Sequence, residues 1–439
     1  MKTIRHRAYF ALIIALALFA GLVFFVFKYA TKGEAWAMHP ANANIFHDGV
    51  LDVGSVTDRN GTVLAKAENG VSSYGDDPTV RKACFHAVGD YGGNIGSGAL
   101  TAFNSRLAGY DLVGGVSSLE GKGGTVKLSI DADLNTVAYN ALNGRRGAVL
   151  VSNYKTGEIL CEVSTPAFDP NSPPDITKSE YEGVYINRCL GAAYAPGSVF
   201  KLVTLAAAIE EIPSLYEMSF ECRGSVNVGG DQINCTGVHG MQTIEDALAN
   251  SCNCAFSELS QKLGGETIEK YAEDFGLLKS HKISGIETAA GSFEKAEQGS
   301  SNLSWAGIGQ FNDLVTPISM LRLVSAIANE GYVKEPTLLK QGSTGKTKLM
   351  TSETAEKIRD MMSYNVAKTY GAQNYPNLNL CAKSGTAELG DGSSNAWFVG
   401  FLNDSENPLA FTIIVERGGT GFVAAGPIAN AVLQAAVAK

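Results

Sequence analysis

Tyr194-Ala195-Pro196-Gly197-Ser198-Val199-Phe200-Lys201 runs directly into Leu202-Val203-Thr204-Leu205-Ala206-Ala207-Ala208-Ile209. Pro-Gly is turn chemistry, and the alanine-rich apolar run behind it predicts a helix buried in a core. This junction puts Ser198 on the first turn of that helix and Lys201 one turn on. Residues three apart share a face, so the amine can reach the hydroxyl. The positive end of the helix also favours negative charge developing at Ser198. S-x-x-K recurs at Ser152, Ser292 and Ser343, but in other settings. Ser152 and Lys155 lie in a strand-turn-strand pattern, Ser292 in a Glu-rich polar stretch, and Ser343 in a Gly/Thr turn.

Two further short motifs come later in the chain, Ser251-Cys252-Asn253 and Lys383-Ser384-Gly385-Thr386. The first ends a helix-like stretch, Thr243–Asn250, and precedes the amphipathic segment Ala255–Leu263, which places it on a connection between helices. S-x-N also occurs at Ser225, Ser300, Ser363, Ser393 and Ser405. Lys383 ends the alternating run Leu378–Ala382, a strand signal. Strands are predicted again at Asn395–Phe401 and Leu409–Val415, giving an antiparallel meander closed by a helical tail, Pro427–Ala438. The second K-[ST]-G, Lys155-Thr156-Gly157, caps a tight hairpin and reads as turn chemistry. Together the three motifs supply a serine nucleophile, a lysine base, a second hydroxyl for proton relay and a cation for a carboxylate. No G-x-S-x-G elbow is present and the six histidines are scattered, so a Ser-His-Asp triad is unsupported.

The chain has 439 residues and a net charge of −9. Ala8–Phe27 is a run of 20 uncharged residues behind Lys2, Arg5 and Arg7. At about 1.5 Å per residue it spans roughly 30 Å, one bilayer core. The positive flank predicts a cytoplasmic amino end, and the run is longer than a signal-peptide core, so a retained anchor is expected over residues 1–32. Beyond it remain 30 basic and 44 acidic residues, a net charge of −14, which argues against nucleic acid or anionic lipid surfaces as partners. An anionic substrate must then be held by particular lysines. Eight cysteines without C-x-x-C, and histidines without H-E-x-x-H, support neither a metal nor a cofactor. An even cysteine count permits disulfides outside the cytosol. Cys222 and Cys235, flanking the Gly-rich segment Gly224–Gly230, form the candidate pair, with free buried thiols as the alternative. Cys252 and Cys254 read as small packing residues.

With these positions fixed, the chain resembles the penicillin-binding proteins, and among them the class B, monofunctional peptidoglycan transpeptidases. The resemblance covers most of residues 50–439. It rests on the three motifs in order, on Asp58-Arg59-Asn60-Gly61 with Leu64-Ala65, and on Leu128-Ser129-Ile130-Asp131 with Leu134. Asn187-Arg188 before Tyr194-x-Pro196-Gly197-Ser198, and Gly309-Gln310 with Thr316-Pro317, complete the set. Phe311 stands where the family often has Gly, Ser384 where it often has Thr, and Ala195 where many members carry an acid. None of these removes a group the chemistry needs.

The resemblance implies an α/β fold of the penicillin-binding-protein and serine β-lactamase type, a five-stranded antiparallel sheet with flanking helices and a helical subdomain. It divides the chain into a cytoplasmic tail and anchor (1–32), a small, mainly β pedestal (33–145) and a transpeptidase domain (146–439). It assigns Ser198 as nucleophile, Lys201 as base, Ser251 as relay and Asn253 as a ligand of substrate amide and Lys201. Burial and the charge of Lys383 are both expected to lower the Lys201 pKa. Lys383, Ser384 and Thr386, with Gly385 between them, would hold the carboxylate of a stem peptide ending in D-Ala-D-Ala, and β-lactams would acylate Ser198. Backbone N–H groups of Ser198 and Thr386 would hold the oxyanion. The implied partner is a polytopic shape- or division-type glycosyltransferase, contacted through residues 8–27 and near Asp58–Ala65. The competing expectations are a β-lactamase or β-lactam sensor of the same fold, and a catalytically silent scaffold.

Overall fold

The computed structural model describes residues 2–39, 41–42, 45–47, 50–51, 53–68, 71–116, 123–342 and 344–439. Ser343, in one of the competing S-x-x-K copies, lies outside them. The amino end is one helix, α1 (Lys2–Ala37). It is long and apolar enough to cross a membrane, and its most apolar window, of mean hydropathy 3.0, is packed against nothing.

After α1 comes a four-stranded sheet of β1 (Gly54–Thr57), β2 (Val63–Glu68), β3 (Val71–Tyr74) and β4 (Thr125–Lys127), in the order β3-β2-β1-β4. Short helices between β3 and β4 cover it. Asp58 ties this sheet to the next helix of the chain, α2 (Ala132–Leu142). Its Oδ1 accepts from Asn60 and Thr62 N–H, both at 2.8 Å, and its Oδ2 from Ala132 N–H at the start of α2. Arg59 reaches Ser129 O and pairs with Glu158 at 3.2 Å. Asp58, Leu64 and Ala65 are buried, so Asn60–Val63 is the part of this stretch that offers open surface.

The central sheet is built from β5 (Gly147–Asn153), β6 (Ile159–Thr165), β7 (Leu380–Glu388), β8 (Ser394–Leu402) and β9 (Leu409–Val415). Its order is β6-β5-β9-β8-β7, with every neighbouring pair antiparallel. All seven residues of β9 are buried, as expected of a strand covered on both faces. Val149, Phe398 and Ile413 face one apolar cluster; Leu150, Trp397 and Ile414 face the other. This is the period-2 pattern of a sheet between two helical layers.

The helical middle lies between β6 and β7. It contains α3 (Lys201–Glu211), α4 (Ile244–Ala249), α5 (Asn253–Leu263), α6 (Ser301–Ile308) and α7 (Pro317–Ala328). Helix α7 backs one face of the sheet, and its start is fixed by a Thr316/Ser319 capping box, worth about 1 kcal/mol. Helix α8 (Gly421–Val437) and α2 cover the other face.

Two strand and helix limits differ from the sequence reading. Strand β7 does not end at Lys383 but runs on through Ser384-Gly385-Thr386 to Glu388, because all nine of its positions find partners in β8. The tail helix begins at Gly421, six residues before Pro427. Gly421 N–H bonds Thr386 Oγ1 at 3.1 Å, and a Cβ there would lie 2.2 Å from Gly385 O, so docking on β7 starts the helix.

Candidate active site

Ser198 lies in a single 3-10 turn, Gly197–Val199, immediately before α3. Gly197 makes the turn possible. Its φ is +55°, and a Cβ would meet Thr386 O at 2.5 Å. Gly385 answers from the strand side, where a Cβ would lie 2.8 Å from Pro196 O. The Ser198 turn therefore rests directly on β7, backbone to backbone. Trp397 Nε1 donates to Ala195 O at 2.9 Å, Gly197 N–H to Gly309 O at 2.8 Å, and Gln310 Nε2 to Thr386 O at 3.0 Å. Tyr194 Oη and Arg188 Nε share Glu416 Oε1 at 2.8 and 2.6 Å.

Lys201 opens α3 and is fully buried. Its Nζ donates to Ser251 O at 2.6 Å, Asn253 Oδ1 at 2.7 Å and Ser251 Oγ at 3.3 Å. The Phe256 ring centroid lies 5.4 Å from it. Ser251 holds φ +51°, a left-handed conformation that costs a side-chain-bearing residue about 1 kcal/mol. The bond from Lys201 Nζ to its carbonyl offsets that strain. Cys252 caps α5, which makes Asn253 the first helical residue.

Lys383, also buried, donates to Ser251 Oγ at 3.0 Å and Ser384 O at 2.8 Å. Ser251 Oγ thus stands between two lysine amines. Tyr370 Oη accepts from Ser384 N–H at 2.8 Å and donates to Ser384 Oγ at 2.9 Å, fixing that hydroxyl beside the cleft.

Burial lowers the Lys201 pKa to about 8, opposed by the neighbouring thiols of Cys235, Cys252 and Cys254. Lys383 is pushed well below the usual lysine range by burial and then by the charge of Lys201. The expected direction of influence is therefore reversed, since Lys201 depresses Lys383. Ser251 Oγ is within hydrogen-bond distance of both amines, the arrangement a proton relay needs.

The structure thus joins Lys201, Ser251, Asn253 and Lys383 in one hydrogen-bonded group and sets Ser384, Gly385 and Thr386 along its edge. It does not join Ser198 Oγ to that group: among the described residues the hydroxyl makes no hydrogen bond. Nucleophile and base often close up only when substrate binds. Sequence reasoning missed a group beside Asn253, where Cys222, Cys235, Cys252, Cys254 and His239 converge as free thiols and a ring. Cys222 and Cys235 are not joined as a disulfide.

The arrangement has known relatives. Residues 147–434 match the penicillin binding protein transpeptidase domain. Stage V sporulation protein D of Bacillus subtilis is 30% identical over 344 residues, 70% of this chain and 53% of that protein, so the match spans about half the relative's length. Peptidoglycan D,D-transpeptidase PbpA of Mycolicibacterium smegmatis is 27% identical over 386 residues, 77% of each. Penicillin-binding protein A of M. tuberculosis, solved as an imipenem acyl-enzyme complex, superimposes with a TM-score of 0.74 at 23% identity, over 88% of this chain and 98% of that one. The chain belongs to the penicillin-binding protein transpeptidase family, whose domain is a serine acyltransferase. The fold and family expected from the motifs are borne out.

Proposed function

We propose that this chain is a membrane-anchored serine D,D-transpeptidase that crosslinks peptidoglycan stem peptides through an acyl-enzyme on Ser198. The observation that carries the reading is the Lys201–Ser251–Asn253–Lys383 group, two buried amines sharing one hydroxyl, with Ser198 in the turn that leads into the helix of Lys201. Neutral Lys201 accepts the Ser198 proton as Oγ bonds the penultimate D-Ala carbonyl carbon. The oxyanion rests on the N–H groups of Ser198 and Thr386, each worth roughly 3 kcal/mol. The peptide C–N bond then breaks, and the proton passes from Lys201 through Ser251 Oγ to the departing D-Ala amine. An acceptor amine from a neighbouring stem attacks the ester, and its proton returns along the same route to Ser198. Lys383, with the hydroxyls of Ser384 and Thr386, holds the donor carboxylate against a chain that is otherwise acidic. A β-lactam enters the same path, but its leaving amine stays tethered.

Residues 1–32 then form the anchor with a cytoplasmic amino end, 33–145 the pedestal, and 146–439 the catalytic domain. The partner proposed for this architecture is a polytopic glycosyltransferase touching α1 and the exposed Asn60–Val63. Crosslinkable residues along both stretches, placed in cells, should capture a multi-span protein; capture of lipid alone would count against the partnership. The enzymatic reading is tested by labelling with fluorescent penicillin and timing release. A stable adduct on Ser198 is expected. Rapid turnover would mean a lactamase, and no adduct a scaffold.

A further inference from the structure

Four side chains beside the S-x-N motif carry chemistry that acyl transfer does not use. Cys222 ends the strand Phe220–Cys222, which pairs with Gly240–Gln242, and His239 directly precedes that partner strand. Cys235 comes just after the hairpin formed by Ser225–Val228 and Asp231–Asn234. Cys252 is the residue between Ser251 and Asn253. Three separate segments thus bring three sulfurs and one ring nitrogen together, all within 4.8 Å of one another.

The spacing among them discriminates between explanations. Cys235 Sγ lies 3.8 Å from Cys252 Sγ and 3.6 Å from His239 Nδ1. A disulfide needs about 2.05 Å. A tetrahedral zinc with Zn–S near 2.3 Å and Zn–N near 2.05 Å has S···S edges of about 3.8 Å and S···N edges of about 3.6 Å. The two edges at Cys235 match these values, and all four ligand atoms lie within 4.8 Å of one another. Asn253 N–H points at Cys235 Sγ at 3.2 Å, the kind of donor that supports a bound thiolate. Cys222 and Cys252 are buried, and Cys235 and His239 half-buried.

The geometry points to a structural zinc ion held by Cys222, Cys235, His239 and Cys252. Three soft sulfurs and one imidazole in a closed tetrahedron select zinc over calcium, magnesium or manganese. On binding, three thiol protons leave to solvent and the imidazole binds neutral through Nδ1. Cys254, whose sulfur lies 3.6 Å from that of Cys222, stays a thiol hydrogen-bonded to a ligand. The ion would clamp the hairpin region 220–242 onto the start of α5. Since Cys252 sits between Ser251 and Asn253, it would also fix the two residues that hold Lys201. Its place in catalysis rests on the function proposed above; its existence does not.

The test is metal analysis of the full-length chain purified in detergent without chelator, read beside penicillin acylation. One zinc per chain is expected. The content should fall below about a tenth in Cys235→Ser and His239→Ala, as for other sites that need every ligand. Val238→Ala, an exposed neighbour in the same loop, should keep it. Where a variant fails to fold, the wild-type chain answers instead. Stripping with a strong chelator should lower the thermal midpoint and slow acylation on the order of tenfold or more. Zinc should restore both, and cobalt should give the thiolate charge-transfer band of a tetrahedral site. Less than about a tenth of a zinc per wild-type chain, iron in its place, zinc retained in both ligand variants, or a disulfide within Cys222, Cys235 and Cys252 by mass spectrometry would each overturn the assignment. Bound zinc in a chain that no penicillin labels would leave the site standing and sink only the proposed function.

Discussion

The cleft has two walls, and they are held in different ways. The sheet wall is β7, paired with β8 at nine positions, with the Ser198 turn seated on it through glycines that admit no side chain. The helical wall is the Ser251–Asn253 connection. It is fastened by Ser251 N–H to Leu248 O at 3.0 Å, Cys252 N–H to Ala247 O at 2.9 Å, and Thr369 Oγ1 to Ala249 O at 2.8 Å. A backbone ladder distributes strain over many bonds, whereas a connection with a left-handed residue depends on a few. The nucleophile and carboxylate side are therefore preset by the fold, and the relay side is set by side chains, including the thiol and imidazole cluster.

The largest effects belong to the chemistry shared by both walls. Ser198→Ala should abolish penicillin acylation and leave the thermal midpoint almost unchanged, since Ser198 Oγ holds nothing in place. Mass spectrometry that finds the adduct on Ser152 or another serine would displace Ser198. Lys201→Arg should be equally inactive, because a guanidinium stays protonated and cannot accept the Ser198 proton. Acylation of that variant at near wild-type rate would remove Lys201 as base.

The sheet wall is probed next. Gly385→Ala drives a methyl against Pro196 O and Val199, where the free space ends at 2.8 and 3.0 Å. Displacing the Ser198 turn by even a fraction of this should slow acylation roughly 100-fold. A rate within twofold of wild type would show that the sheet wall yields as readily as the helical one. Lys383→Ala tests which wall its amine serves. If it holds the carboxylate, a carboxylate-bearing penicillin should lose roughly tenfold or more over its amide-capped analogue, the worth of one charge-assisted hydrogen bond. Equal losses would place its role wholly at Ser251 Oγ.

The same contrast decides how much was legible in the sequence. The sheet wall was legible because its signals are local. Pro-Gly before an apolar helix, alternating strands and a meander at Asn395–Val415 each need only neighbours in the chain. The sequence pattern places the tail helix only from Pro427 to Ala438. Its real start at Gly421 comes from a contact with Thr386, 35 residues away. The helical wall was legible only as a motif on a connection. Cys-x12-Cys-x3-His-x12-Cys has no short spacing to search for, and it becomes a cluster only when a hairpin folds back on α5. The reversed influence between Lys201 and Lys383 was hidden for a similar reason. Burial of each amine is a property of the assembled walls.

The smallest effect tests the segment that joins the walls. Residues 309–316 connect α6, on the helical side, to α7 beneath the sheet. Asp313 in this segment is buried, and among the described residues neither carboxylate oxygen has a hydrogen-bond partner. Burial raises its pKa from 3.8 to about 8. The folded chain therefore holds a proton there that the unfolded chain has released. Stability tied to this proton is complete below pH 3.8 and is lost as pH rises toward about 8. The slope is at most about 1.4 kcal/mol per pH unit. Asp313→Asn has the shape of the protonated acid without the ionisation. Denaturant unfolding should thus find the two proteins alike near pH 4 and the variant more stable by on the order of a few kcal/mol at pH 8. Acylation should be unaffected, because Asp313 bonds no cleft residue. A stability difference that does not change between those pH values would show that Asp313 ionises freely and that this segment opens to water. In that case the joint between the walls would be looser than either wall.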